Sequence, residues 1–221
     1  MLLIFVCFLT LPDQAQPMNY KSTSRESTRM FKSDFLESLS KVHWTVPPLI
    51  FVPVIAYFIW RSFAVVHLAP LTFIGCFAGG LLVWTLTEYV LHRFIFHWEP
   101  GSPWGKRLHF IFHGVHHDYP QDALRLVMPP SVSIPLALIF YFLFYLLLPA
   151  AYLPAFFPAF IVGYLFYDLT HYATHHANFK SGFLKKMKQH HMTHHYSDAT
   201  RGYGVSSTLW DRIFGSDFVK K

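Results

Sequence analysis

Charge is what this sequence has least of. Only 14% of the 221 residues are charged, against 53% hydrophobic and 19% aromatic, and mean hydropathy is +0.31. A water-soluble domain carries about 25% charge, so an ordinary soluble globule is excluded and lipid is part of the solvent. Cysteine is almost absent: Cys7 and Cys76 both sit in apolar stretches, so no disulfide framework is implied and no thiolate metal site can be built. The H-E-x-x-H pattern of zinc proteases is missing. Acidic residues are outnumbered, giving a formal charge of +6. The basic residues flank apolar segments and do not form a stripe, which argues for a membrane surface and against nucleic acid.

The length suits one domain of ordinary size. Residues 1–12 are apolar but too short for a hydrocarbon core needing ~20 residues. They resemble a signal-peptide core, yet no basic residue precedes them and no small-x-small site follows. Met18 opens a polar stretch, so residues 1–17 are read as the product of an over-early start. Phe31, Phe35, Leu36, Leu39, Val42 and Trp44 then fall at helical spacing, with Asp34 and Glu37 placed as a capping pair. This predicts a short amphipathic helix, lying either on the membrane surface or on the protein's own cap. Residues 1–45 are thus an N-terminal segment, and 46–221 the main domain.

Four apolar segments follow, at 46–66, 70–91, 131–149 and 151–170. Arg61 interrupts the first, where a long side chain can snorkel to the interface. The last two are joined through Pro149, Ala150 and Ala151, room only for a tight hairpin. Five basic residues lie in 21–41, four in 93–125 and eight in 180–221, leaving only Arg61 elsewhere. Two hairpins with both termini and the central segment on the cytosolic side satisfy this distribution. The expected fold is an all-α integral membrane protein with four transmembrane helices and a cytosolic helical cap.

Histidine is the residue in surplus. Thirteen of fifteen fall in four clusters at the cytosolic ends of the spans or just beyond: HRFIFH (His92, His97), HFIFHGVHH (His109, His113, His116, His117), HYATHH (His171, His175, His176) and HHMTHH (His190, His191, His194, His195). Residues three and four apart on a helix share a face. His113, His116 and His117 therefore read as one tripod, His191, His194 and His195 as a second, and His171 and His175 as a pair. His92 and His97 are five apart, so the helix must loosen near His97, with Trp98-Glu99-Pro100-Gly101 as the break. Ten histidines are too many for one ion and enough for two. Imidazole suits iron, zinc, copper and nickel; a thiolate-free site open to dioxygen favours iron, since zinc has no redox chemistry. A lone histidine at an interface is usually a hydrogen-bonded residue, and His43 and His67 are read that way. Glu88 and Asp168, one turn before His92 and three residues before His171, are expected to orient ligating imidazoles. Asp168, with Tyr167, is the better candidate for a site role; Glu88 serves equally as an interhelical contact.

These clusters resemble the fatty acid hydroxylase superfamily, whose members include sterol desaturases, carotenoid hydroxylases and fatty acid 2-hydroxylases. EYVLHRFIFH, HFIFHGVHHDYPQDALRLVMPP, GYLFYDLTHYATHH, KQHHMTHHY and GYGVSSTLWDRIFG resemble the 2-hydroxylase branch, with the RLVMPP stretch (Arg125 to Pro130) the most discriminating. The resemblance runs from about Phe31 to the C-terminus. It implies a four-helix membrane base under a cap holding two metals. Its ten ligand positions match His92, His97, His113, His116, His117, His171, His175, His191, His194 and His195, leaving His109, His176 and His190 as supporting or lining residues. It also implies two iron ions (replaceable by zinc in a purified sample), dioxygen as co-substrate, and 2-hydroxylation of a fatty acid or of a ceramide's N-acyl chain. Tyr164, Tyr167 and Asp168 are the candidates for orienting the lipid head group. Fungal and animal relatives carry a cytochrome b5 domain; no haem-binding His-Pro-Gly-Gly motif is present here, so electrons are expected from a separate cytochrome b5 or other reductase chain. The membrane would be the endoplasmic reticulum in a eukaryote or the cytoplasmic membrane in a bacterium. Rival readings are a sterol or carotenoid hydroxylase or desaturase, a haem protein, and a histidine-rich metal transporter. A transporter would place its polar ligands near the bilayer midplane, not at one face.

Overall fold

The computed structural model describes residues 21–218, so the expectation for residues 1–17 lies outside the described residues. Those described are helical with no strand. In chain order they form α1 (Asp34–Leu39), α2 (Val46–Ala64), α3 (Pro70–Val90) running into a π-helical turn π1 (Leu91–Phe96), and α4 (Pro103–His109) running into a second, π2 (Phe110–Gly114). Then come α5 (Val115–Asp118), α6 (Pro130–Leu147), α7 (Leu153–His176), α8 (Gly182–Tyr196) and α9 (Leu209–Ile213).

Helices α2, α3, α6 and α7 are each long and apolar enough to cross a membrane. All four carry proline in their first two positions, where the missing N–H costs no intrahelical hydrogen bond. Residues 65–69 close the first hairpin, with His67 in a left-handed conformation at φ 54°. Residues 148–152 close the second. The fourth span differs from its expectation: it runs past residue 170 to His176, carrying its ligand candidates on the same rod.

The four spans are not equivalent. Inside the protein, 78% of the apolar stretch of α7 is buried, against 17% for α2 and 11% for each of α3 and α6. Helix α7 is the hub and the others present their outer faces to lipid. Its approach to α3 is close because two glycines permit it. A Cβ on Gly163 would strike the Trp84 side chain, and one on Gly80 would strike Ala159 Cβ and the Phe156 backbone. Small residues let membrane helices touch where no hydrophobic driving force separates helix from lipid. Trp84 then meets Phe160 edge-on at 5.1 Å and Tyr164 at 5.5 Å between centroids.

The N-terminal segment packs on the cap. Ser22 N–H donates to Asp118 O and Val42 N–H to Leu124 O. The expected helix contracts to Asp34–Leu39, and its N-cap is Ser33, whose side chain accepts from Leu36 N–H, not Asp34. Glu37 turns inward instead: it accepts from the N–H groups of Met30 and Phe31 and lies 2.6 Å from the Arg125 guanidinium. A buried guanidinium needs a counter-charge, and Glu37 supplies it from within α1. Phe31 and Val42 are buried, while Phe35 and Leu39 stay exposed.

Candidate metal centre

The histidines converge at the cap end of the bundle. His92 and His97 are brought together by π1, in which His97 N–H donates to His92 O at 3.1 Å. An i→i+5 turn aligns residues five apart, so the helix widens between the pair and does not simply break after it. The second π turn, Phe110–Gly114, precedes His116 and His117 and contains His113.

Two groups result. His92, His97, His113, His117 and His194 form one; His116, His171, His175, His191 and His195 form the other, and within each the candidate ligand atoms lie within 4.8 Å of one another. The expected tripods are therefore split. The i,i+4 pairs stay together (His113/His117, His171/His175, His191/His195), while the i+3 members His116 and His194 cross to the opposite group. Adjacent helical residues diverge by about 100°, so the doublets His116-His117 and His194-His195 each straddle the two groups. The groups abut where the rings of His117 and His195 stack at 4.2 Å.

Whether these residues suit a metal is a question of lone pairs. His92 Nδ1 donates to Tyr203 O at 2.5 Å and His194 Nδ1 donates to Arg201 O at 2.7 Å. That fixes the tautomer and leaves each Nε2 with a lone pair pointing inward. His92 Nε2 is 3.0 Å from His113 Nε2, His117 Nε2 is 3.0 Å from the same atom, and His194 Nε2 is 2.9 Å from His97 Nε2. In the second group His171 and His116 meet at 2.8 Å and His175 and His191 at 3.0 Å. Neighbouring ligands at about 2.1 Å from one ion stand about 3.0 Å apart when they subtend a right angle. Neither ring nitrogen of His195 has a hydrogen-bond partner. A cation in each group satisfies these atoms together; the donor set fits one.

Burial keeps the rings neutral, as ligation requires. It is the main cause lowering His113, His116, His117, His191 and His195 well below the usual imidazole range, with neighbouring histidines adding to it. It takes His97 to about 3 and His194 to about 4.

The two carboxylates expected to orient imidazoles do something else. Glu88 accepts from Val205 N–H and Ser206 N–H, both at 2.8 Å, and from Ser206 Oγ. Asp168 accepts from Met128 N–H at 3.1 Å and Tyr164 OH at 3.1 Å. Both sit one turn or so below a ligand candidate on the same helix, so their side chains reach the neighbouring chain segment and not that ring. Orientation of His92 and His194 comes from backbone carbonyls of residues 201–203. Those carbonyls carry no sequence signature, although the GYGVSSTLWDRIFG string marked the segment.

Tyr167 stands between Trp84 and His171, with ring centroids 5.9 and 5.7 Å away. Tyr164 lines a narrow apolar cavity between α3, α6 and α7, with Trp84, Met128, Ser133, Phe140 and Ile161 among its walls. His109, His176 and His190 lie outside both groups: His109 Nε2 is 3.7 Å from Glu99, His176 packs on Tyr172, and His190 Nε2 is 3.4 Å from Asp211. His43 pairs with Thr45.

Comparison with known proteins agrees with this geometry. Residues 77–216 match the model of the fatty acid hydroxylase family. A dihydroceramide fatty acyl 2-hydroxylase of Arabidopsis thaliana is 41% identical over 194 residues, 86% of this chain and 80% of the relative. The ceramide very long chain fatty acid hydroxylase scs7 of Schizosaccharomyces pombe is 40% identical over 91% of this chain but 58% of its own length. A solved structure titled full length scs7p, with only the hydroxylase domain visible, superposes with a TM-score of 0.79 at 38% identity, covering 86% of this chain and 72% of that one. With the family model spanning more than half of the chain and the relatives matching at about 40% identity over most of its length, this chain belongs to the fatty acid hydroxylase family.

Proposed function

We propose that the protein 2-hydroxylates long acyl chains, as free fatty acids or as the N-acyl chain of a ceramide-type lipid, at a centre of two iron ions held by the ten histidines. The observation that carries this reading is the pairing of two abutting five-histidine groups with an apolar cavity among the spans, whose wall residue Tyr164 lies two turns before His171 on α7. The plant and yeast relatives, named for dihydroceramide and ceramide hydroxylation, support the substrate class.

When bound, such an iron pair supplies dioxygen activation, with two electrons from a separate cytochrome b5-type or other reductase chain. One oxygen atom would be inserted into the C–H bond, and the other would take the two electrons and two protons from solvent and leave as water. The chain's residues do the rest. The narrow cavity's apolar walls suit the part of a hydrocarbon tail next to the head group and exclude water there. Asp168 fixes Met128 and Tyr164 at the cap end of that cavity. Tyr167 walls the passage toward His171. Tyr164, Tyr167 and Asp168 thereby orient the head group so that the carbon next to the carbonyl faces the histidines. The cap and both termini lie in the cytosol, and the membrane is the endoplasmic reticulum or a bacterial cytoplasmic membrane.

Lipid mass spectrometry of cells lacking endogenous 2-hydroxy lipids tests this. Wild type should produce 2-hydroxy acyl lipids and His117→Ala should produce none. Well-expressed wild type with reductant partners supplied and no such product would refute the reading.

A further inference from the structure

The segment 201–206 is held from three sides by groups that hydrogen-bond none of the ten ligand candidates, although Asp211 also lies 3.4 Å from His190 Nε2. Asp211, fully buried, accepts from Tyr203 N–H at 2.9 Å, Gly204 N–H at 2.8 Å and Ser216 Oγ at 2.8 Å. Ser216 Oγ accepts in turn from Tyr89 OH at 2.8 Å, and Tyr89 OH accepts from Arg93 at 2.5 Å. Glu88, also buried, holds Val205 and Ser206 from the α3 side. Gly204 is obligatory, since a Cβ there would strike the Ser207 backbone and Asp211. The product of this clamp is two carbonyls, Tyr203 O on His92 and Arg201 O on His194.

Both of those histidines belong to the first group. In the second, the Nδ1 atoms of His116, His171, His175, His191 and His195 have no hydrogen-bond partner, and four of the five ligand candidates come from the rods α7 and α8. The two groups are therefore positioned by different means: one by helix register, the other by a loop that two carboxylates must hold.

We propose that Asp211 and Glu88 are positioning residues for the first group alone, acting through the Tyr203 and Arg201 carbonyls to set its metal affinity independently of the second. This deepens the two-metal reading and rests on it. Asp211→Asn places an amide N–H against a backbone N–H that the carboxylate now accepts. Losing a partner that orients a ligating histidine weakens metal binding about 10–100-fold, and a loop-mediated loss should fall near the lower end.

The experiment counts metal per chain in detergent-purified protein by mass spectrometry, and follows release to a chelator. Wild type and a surface control, Asp34→Asn, should hold two ions. Asp211→Asn should fall toward one, with about tenfold faster loss of the first ion and conversion of a spin-coupled pair signal to that of an isolated ion. Adding His97→Ala to Asp211→Asn should empty what remains of the first group and leave one ion per chain, whereas adding His175→Ala should remove the second group's ion. Glu88→Gln and Tyr89→Phe, milder cuts in the same clamp, carry the test if Asp211→Asn does not fold.

Wild-type protein with fewer than two ions would defeat the two-metal reading itself. Two ions and wild-type release in folded Asp211→Asn would overturn only the proposal. So would equal loss from both groups, or failure of all three variants to fold.

Discussion

His109 and His175 differ by no property visible in composition, yet the geometry assigns them opposite fates. His175 faces His191 at 3.0 Å within the second group, whereas His109 turns toward Glu99. His175→Ala should lower metal retention at least tenfold and abolish product, while His109→Ala should keep both ions; metal analysis of the two purified variants checks this. The three pairs that stay together were legible because i,i+4 spacing survives folding. The tripods were not, because i+3 and i+4 point about 100° apart on a helix, and with two groups to fill that angle decides membership. The acid partners were misread for another reason: a carboxylate near a histidine in sequence need not face it, and a backbone carbonyl that does face it leaves no trace in the sequence.

The same rings fix a pH dependence. Burial lowers His97 to about 3 and His194 to about 4, while in the unfolded chain they titrate at about 6.5. Between those values the unfolded state binds more protons, so stability rises with pH through this window and is lost as pH falls toward 4. Thermal unfolding of the metal-free protein should show a midpoint climbing from pH 4 to about 6.5 and then levelling; a flat or falling profile would contradict the buried, neutral assignment.

At the scale of elements, the approach of α3 to α7 sets where the groups can meet. His92 and His171 stand at the cap ends of these two rods, and Gly163 is where the rods touch. Gly163→Val drives a branched side chain into Trp84 and should destabilise by about 1–3 kcal/mol, the usual cost of overpacking. It should also lower metal content, because the displaced rods carry ligands to both groups. Thermal unfolding and metal analysis on one preparation check both effects. The four spans were legible from hydrophobic runs, but the central place of α7 was not. Its run is no more apolar than the others; it is buried because the glycine contacts and the aromatic rings of α2, α3 and α6 all close upon it. The π turn at Leu91–Phe96 was legible only as a need for the helix to loosen.

For the whole molecule, the reading places the residue 65–69 turn on one side of the membrane and the cap on the other. A single cysteine introduced at His67 should react with an impermeant maleimide from the non-cytosolic side only, and one at Ser181 from the cytosolic side only, in a background without Cys7 and Cys76. Reaction from a shared side would break the hairpin topology. The basic residues gave that topology, since Arg61 alone departs from the bias. The helical spacing of the N-terminal segment left the membrane surface and the cap both open, and the structure puts it on the cap, through buried Arg125, Glu37 and Asp122.

All of this turns on ten imidazoles forming two adjacent cages for redox-active ions. Iron-edge X-ray absorption on active, purified protein, with iron counted per chain, addresses that most directly. The account predicts two irons per chain, nitrogen or oxygen neighbours near 2.1 Å, no sulfur neighbour, and a second iron in the outer shell. Active protein holding no iron, or holding one iron with no second behind it, would contradict the account.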